Sequence, residues 1–340
     1  MRGGHSSRVP IRRPDSSDNP LHHELRLPSG PPMNSMPKKE PVLTLANRLH
    51  QEVFIAGEYR KLILRQPGKF IRFAVRDYLF WITRLAPALR PVHLVCRMID
   101  DIADGDRKLP PEFSSFPQLI EIAQKQIETG VVSFQANTLI LLQNAISAAE
   151  RRQIKPGEVQ ASFTEFLEVM LLEFRRRTER RLLDQQELID LHIASSFHAH
   201  NIGLICFGSH SRASDTPEFS ELIGRMDALR DMTKELRLGT VNIPREVMTQ
   251  AGCSYEDVVN APQSVYSHPE IVNWMRDELC CGEALIDKLA QHKVDRTAKL
   301  ILNIRLRSTI PFVKERFPQF LEQVTSQFRH YVVAQGKCPL

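Results

Sequence analysis

Two short segments carry residues whose types and spacing could do chemistry. The first reads Arg97-Met98-Ile99-Asp100-Asp101-Ile102-Ala103-Asp104-Gly105 and places three carboxylates within five residues. On a helix, Asp100 and Asp104 share a face one turn apart, and Asp101 and Asp104 are neighbours at i, i+3. Gly105 is a natural left-handed cap, so the acids fall in the last turn, where the helix dipole disfavours anions by roughly 0.3–1 kcal/mol each. A helix end built only for stability would carry Lys or Arg there. The cluster therefore calls for a cation. Clustered carboxylates suit magnesium, which keeps waters and takes oxygen ligands from carboxylate and phosphate. The bland alternative is a solvated acidic turn, and the apolar neighbours Val95, Ile99 and Ile102 count against it.

The second segment, Asp227-Ala228-Leu229-Arg230-Asp231-Met232-Thr233-Lys234-Glu235, spaces three acids four apart. Asp227, Asp231 and Glu235 then lie along one helical face, with Gly239 closing the helix soon after. Arg230 and Lys234 lie alongside. Read alone, they form local ion pairs with the acids, worth a few tenths of a kcal/mol each. Two acidic clusters, each just before a glycine-terminated helix end, support a sharper reading. Opposed helices presenting carboxylates into a bundle make a metal site. Two or three magnesium ions there would clamp a diphosphate and neutralise the charge it develops on leaving. An apolar and aromatic lining would hold a greasy chain and keep water from a carbocation.

The elements that must position these acids are helices. Val159, Phe163, Phe166, Leu167, Met170, Leu171 and Phe174 recur at helical spacing. Proline and glycine fall where helices should stop: Gly105 with Pro110 and Pro111, Pro156 and Gly157, Gly239 with Pro244, and Pro262 to Pro269. Alternating strand patterns with Asn-Gly turns are absent. The expectation is one all-α domain over 43–335, a single bundle of roughly ten helices. Residues 1–42 hold 8 of the 22 prolines and read as a disordered proline-rich tail, too poor in large apolar residues to order itself.

Composition narrows the function classes. Of 340 residues, 42% are hydrophobic and 25% charged, and the net charge is +5. That excludes collagen-like and wholly disordered chains. It fits an anionic small molecule or an anionic membrane surface, and is too weak a basicity to argue for nucleic acid. No apolar run reaches the ~18–20 residues that span a bilayer, and the polar N-terminus does not read as a secretory signal. The six cysteines lack CxxC spacing and read as reduced, buried thiols. The expected localisation is cytoplasmic, with peripheral membrane contact through the Arg175–Arg181 run as the sharper reading of a helix face that otherwise meets water.

These residues resemble the squalene/phytoene synthase family, the head-to-head prenyl transferases. The resemblance runs over about residues 70–260. It comprises Leu79 to Pro87 with Leu89 and Arg90, then Cys96 to Asp104, which matches the family's Arg plus DDxxD motif. Leu229 to Glu235 follow, and then Gly239, Ile243 to Glu246, and Ala251 with Gly252. Asn201, Gly203, Phe207 and Gly208 match more weakly. The resemblance implies the isoprenoid synthase fold, its helices around a central cavity, and a Mg-dependent prenyltransferase. Such an enzyme ionises an allylic C15 or C20 prenyl diphosphate and condenses it head-to-head with a second one. It implies Asp100, Asp104 and Asp231 as catalytic acids. Asp100, Asp101, Asp104, Asp231 and Glu235 would hold metal, and Asp227, standing where the family commonly has Asn, would add a ligand or replace a hydrogen bond. Thr83, Arg84, Arg97, Arg230 and Lys234 would contact the diphosphate. Phe80, with Tyr78 and Trp81, would line the chain site.

The departures bear on the outcome. His93 stands where the family carries Tyr, the helix before Gly203 contains none, and the segment Gly239 to Pro244 lacks the usual one. Such tyrosines orient substrate in the family. Their loss favours two alternatives: a squalene-synthase-like cyclase or lyase acting on one prenyl diphosphate, and a non-catalytic member. His198 or His200 could supply a base in their place, although a satisfied histidine is the commoner use. A reductive second step would need NADPH, for which no dinucleotide fingerprint appears.

Overall fold

The computed structural model describes residues 86–131 and 136–334, together with Phe54, Gly57 and Glu58. The proline-rich segment 1–42 lies outside the described residues, as do Tyr78, Phe80, Trp81, Thr83 and Arg84.

Among the described residues the chain is all-helical, with eleven α-helices and no strand. They are α1 (Ala86–Ala103), α2 (Phe116–Thr129), α3 (Asn137–Glu150), α4 (Glu158–Thr178), α5 (Gln185–Cys206), α6 (Pro217–Arg237), α7 (Arg245–Gln250), α8 (Tyr255–Asn260), α9 (Pro269–Leu289), α10 (Arg296–Pro311) and α11 (Phe317–Ala334). No described helix is long and apolar enough to cross a membrane.

Local chemistry sets many of the boundaries. Ser115 caps α2 by accepting from the Gln118 N–H, and Gly130 ends it at φ +68°. Asp184 and Glu187 form a reciprocal capping box at the start of α5. Asp295 caps α10 through the Ala298 N–H and also accepts from Ser209, His210 and Ser211. These bonds hold its carboxyl well below the usual range, against the opposing effect of burial.

Two apolar cores build the bundle. Leu94, Val95, Met98, Leu139, Leu142, Phe163 and Leu167 belong to the first, formed by α1 to α5. Leu222, Met226, Met232, Met275 and Leu279 belong to the second, formed from α6 onward. The seam is α5 against α6, which approach closely at Gly224. A Cβ there would lie 2.5 Å from the His192 carbonyl oxygen, so only glycine permits this spacing. Buried Arg225 crosses from α6 to Glu278 of α9 (2.6 Å), also bonding Glu221.

Pro91 lies inside α1; the helix loses one N–H donor there, while Leu89, Val92, Leu94 and Val95 are buried around it. Two expectations need correction. The Arg175–Arg181 run is not one solvated helix face. It straddles the end of α4, and Arg176 within it is buried and bonded to Asn242. Nor are the cysteines uniformly buried: Cys206 is, Cys96 and Cys253 are partly so, and Cys280 and Cys281 are exposed; all five are free thiols.

Candidate functional site

The C-terminal halves of α1 and α6 open on one cavity of about 590 Å³. It is lined by Asp100 and Asp101 of α1 with Asp104 just past its end, and by Asp227, Asp231 and Glu235 from α6. Helical spacing accounts for each set separately. Packing of α1 and α6 around α4 and α5 brings them together, with Arg97, Arg230 and Lys234 on the same walls. Asp100, Asp101 and Asp104 lie at the C-terminal end of α1 and Glu235 in the last turn of α6, so both dipoles add negative potential there, while Asp227 and Asp231 sit further up α6. Gly105 (φ +81°) and Gly239 (φ +82°) turn the chain beyond each helix.

The acids meet basic partners. Arg97 lies 2.8 Å from Asp100 and 2.7 Å from Asp101. Arg230 spans Asp227 and Asp231, 2.5 Å from each. Lys234 reaches across to Asp106, at 2.5 Å, rather than to an acid of its own helix. Arg305 of α10 adds a contact to Asp227 at 2.7 Å. Among the described residues no three His, Cys, Asp or Glu side chains converge to hold a metal ion.

The uncompensated charge concentrates deeper in. Burial is the largest cause of the raised carboxyl pKa of Asp104, pushed up to about 8, with Asp100 and Glu173 adding to it. Glu235 is likewise pushed up to about 8, by burial and then by Asp104, Asp231 and Glu173. Asp100 rises to about 6, burial and the neighbouring acids outweighing Arg97. Acids from α1, α4 and α6 thus raise one another's affinity for a proton, which is what like charges sharing a desolvated site must do. The same field would favour added positive charge in place of protons.

Several participants escaped the sequence reading. Glu173 stands three residues beyond Met170 on the apolar stripe of α4, and that break in the stripe was its one signal. Arg305 gave none, because only long-range packing brings it here; Asp106 and Asn242 follow the two acidic segments closely, but lie beyond the helical spacing that marked them. Buried Arg176 donates to the Asn242 side-chain oxygen at 2.5 Å, and Asn242 donates to Glu235 at 2.5 Å. His192 lies beside this pair; burial, then Arg176, lowers its pKa to about 3 despite a hydrogen bond with Asn242, so its imidazole is neutral. His198 lies 3.1 Å from Glu165, outside this network.

A second cavity, about 410 Å³, adjoins the first and shares Arg97, Asp100, Met170, Ser195, Ser196 and Asp227 with it. Its other walls include Phe166, Ala199, Phe219, Ile223 and Ile301, with His93 and His200 among them. Burial lowers the His200 pKa to about 4, so this imidazole is neutral too. Both volumes fall in the range of small-molecule sites, ~300–1,000 Å³. One end of the composite space is acidic and the other apolar.

Comparison with known proteins agrees with this arrangement. The squalene/phytoene synthase family model matches residues 79–307. Among solved structures, squalene synthase HpnC from Alicyclobacillus acidocaldarius is similar at 19% identity and a TM-score of 0.50, covering 85% of this chain and 97% of that one. Comparison with curated proteins gives no match. The structural likeness establishes the isoprenoid synthase fold expected from the motifs. The family match spans both acidic helix ends and the helices between them, and the chain is therefore a member of the squalene/phytoene synthase family.

Proposed function

We propose that the protein ionises an allylic prenyl diphosphate of C15 or C20 length with magnesium and joins it head-to-head to a second prenyl diphosphate. The observation that carries this reading is the composite cavity: a carboxylate-rich end opening, past Arg97 and Asp100, onto an apolar end. Asp100, Asp101, Asp104, Asp227, Asp231 and Glu235, with Glu173, are the oxygen donors that would hold two or three magnesium ions. The bound metal would supply charge neutralisation for the departing diphosphate. Arg97, Arg230 and Lys234 already lie against the acids. With the acids neutralised, their guanidinium and ammonium groups are free to hold diphosphate oxygens. Phe166, Met170, Phe219 and Ile223 exclude water from the chain and from the allylic cation left when the C–O bond breaks. Attack on that cation by the double bond of a second chain, with loss of a proton, forms the coupled product.

A second reading, cyclisation or water capture of a single chain, is favoured by the lining. Ser195, Ser196, His93 and His200 place polar groups where a wholly apolar wall would serve coupling better.

The deciding experiment incubates the protein with farnesyl or geranylgeranyl diphosphate and magnesium, with and without NADPH, and identifies the products by mass. A C30 or C40 product absent from an Asp100→Ala/Asp104→Ala variant supports coupling, and NADPH dependence would mark a reductive second step. A C15 or C20 alcohol or cyclic product selects the second reading. Release of no diphosphate from either substrate would overturn both and leave a non-catalytic member.

A further inference from the structure

We infer that Arg177, Arg180 and Arg237 form a second anion-binding site, distinct from the carboxylate cavity and specific for a phosphate or diphosphate group. The three line a separate pocket of about 380 Å³ with Tyr255, Leu238 and Val259. It lies beyond the C-terminal ends of α4 and α6, and its assignment does not depend on the reaction proposed above.

Helix-dipole complementation explains part of this arginine run, since Arg175, Arg176 and Arg177 close α4 and Arg237 closes α6. It does not explain Arg180, which lies outside the helix. Arg180 is the one described non-glycine residue at positive φ, +54°. Glycine takes that conformation without a Cβ penalty, so an arginine held there points to a use for its side chain. Its guanidinium sits over the Tyr255 ring, 5.9 Å from the centroid, and pairs with Glu256 at 3.2 Å.

Tyr255 is itself fixed, its hydroxyl donating to the Gly239 carbonyl at 2.5 Å. A Cβ on Gly239 would lie 3.0 Å from that hydroxyl, so the wall is built around a glycine. On the opposite side, Arg177 packs over Phe174, 5.7 Å from its centroid. Its Nε is buried without a hydrogen-bond partner, and its guanidinium fills the space a side chain on Gly105 would need.

Three arginines thus line one pocket with one carboxylate residue, Glu256, which Arg180 already engages. Among the described residues no carboxylate forms an ion pair with Arg177 or Arg237. Convergent arginines with excess positive charge match the forked geometry of phosphate oxygens. Arg177 meets Gly105, the residue after Asp104, so the pocket stands at the rim of the acidic cavity. Either a lipid phosphate or a free diphosphate would supply the same chemistry.

The test uses the full chain in EDTA, so that no divalent cation loads the carboxylate cavity. Sodium diphosphate is titrated calorimetrically, and binding to phosphatidylcholine vesicles containing phosphatidic acid is measured by flotation. Arg177→Gln/Arg237→Gln is expected to weaken binding about tenfold or more, and added salt to weaken it further. Arg237→Gln alone, at an exposed position, guards against misfolding of the double variant, with circular dichroism as the check. Arginine-dependent binding of both probes, or of diphosphate alone, supports the site; loss of vesicle binding in the double variant marks a lipid phosphate as a source. If neither probe binds, or if binding survives the double variant and disappears in Arg230→Gln, the site is refuted.

Discussion

Asp104→Asn should stabilise the metal-free protein and abolish its response to magnesium. Asp104 stands among Asp100, Glu173 and Glu235, and its carboxyl pKa is pushed up to about 8, chiefly by burial. The unfolded chain has a reference value near ~3.9. At pH 7 the folded protein must therefore hold a proton that the unfolded chain does not. Roughly 3 pH units at about 1.4 kcal/mol each give about 4 kcal/mol. Asp104 is only partly shielded, and water reaching the open cavity reduces this to about 2–3 kcal/mol.

The sign follows from a raised acid. The cost is absent below about pH 4 and grows until the pH passes the folded value near 8. Urea unfolding in EDTA should show wild type losing stability from pH 5 to 8. The variant should lose less, since Asn carries no charge and Glu235 loses Asp104 as a repulsive neighbour. Millimolar magnesium should raise the wild-type midpoint at pH 8 and leave the variant nearly unchanged. An Asp104→Asn protein no more stable than wild type at pH 8 in EDTA, or one stabilised by magnesium as strongly as wild type, would refute the charge-cluster argument.

Four further outcomes follow from the packing. Gly224→Ala should destabilise by about 1–3 kcal/mol, because its Cβ meets the His192 carbonyl. Gly203→Ala, with nothing within 4 Å of its Cβ, should gain about 0.5–1 kcal/mol; thermal melts of the two variants separate close approach from helix propensity. Arg225→Ala leaves buried Glu278 without its charge partner and should cost about 3–5 kcal/mol in urea unfolding. Asn242→Ala removes the link between Arg176 and Glu235 and should cost about 2 kcal/mol, with weaker magnesium stabilisation as the accompanying readout.

Much of the site was legible because its two halves are local patterns. The spacing Asp100 to Asp104 and Asp227 to Asp231 to Glu235 assigns each set to a helical face, and Gly105 and Gly239 show that both sit near helix ends. Less legible were the residues that complete the cavity. Glu173 is one acid on a mostly apolar helix, and Arg305 lies 78 residues from the Asp227 it touches. The Arg175–Arg181 run reads as uniformly solvated, yet Arg176 points inward to Asn242 while Arg177 and Arg180 line a different pocket. Neighbours on a helix differ by about 100° in direction, so a run of like residues is divided among surroundings that only neighbouring elements define.

What the sequence alone determined is the helical class, the two carboxylate faces and their placement at glycine-terminated ends. Each depends on interactions within a few residues of the chain, and periodicity encodes those directly. Tertiary structure decided that the faces meet, which arginine pairs with which acid, and that an acidic cavity opens into an apolar one. It also decided the electrostatics: Asp104 and Glu235 are 131 residues apart in the chain, and neither holds its proton near pH 8 until packing removes water and sets the two carboxyls in one field.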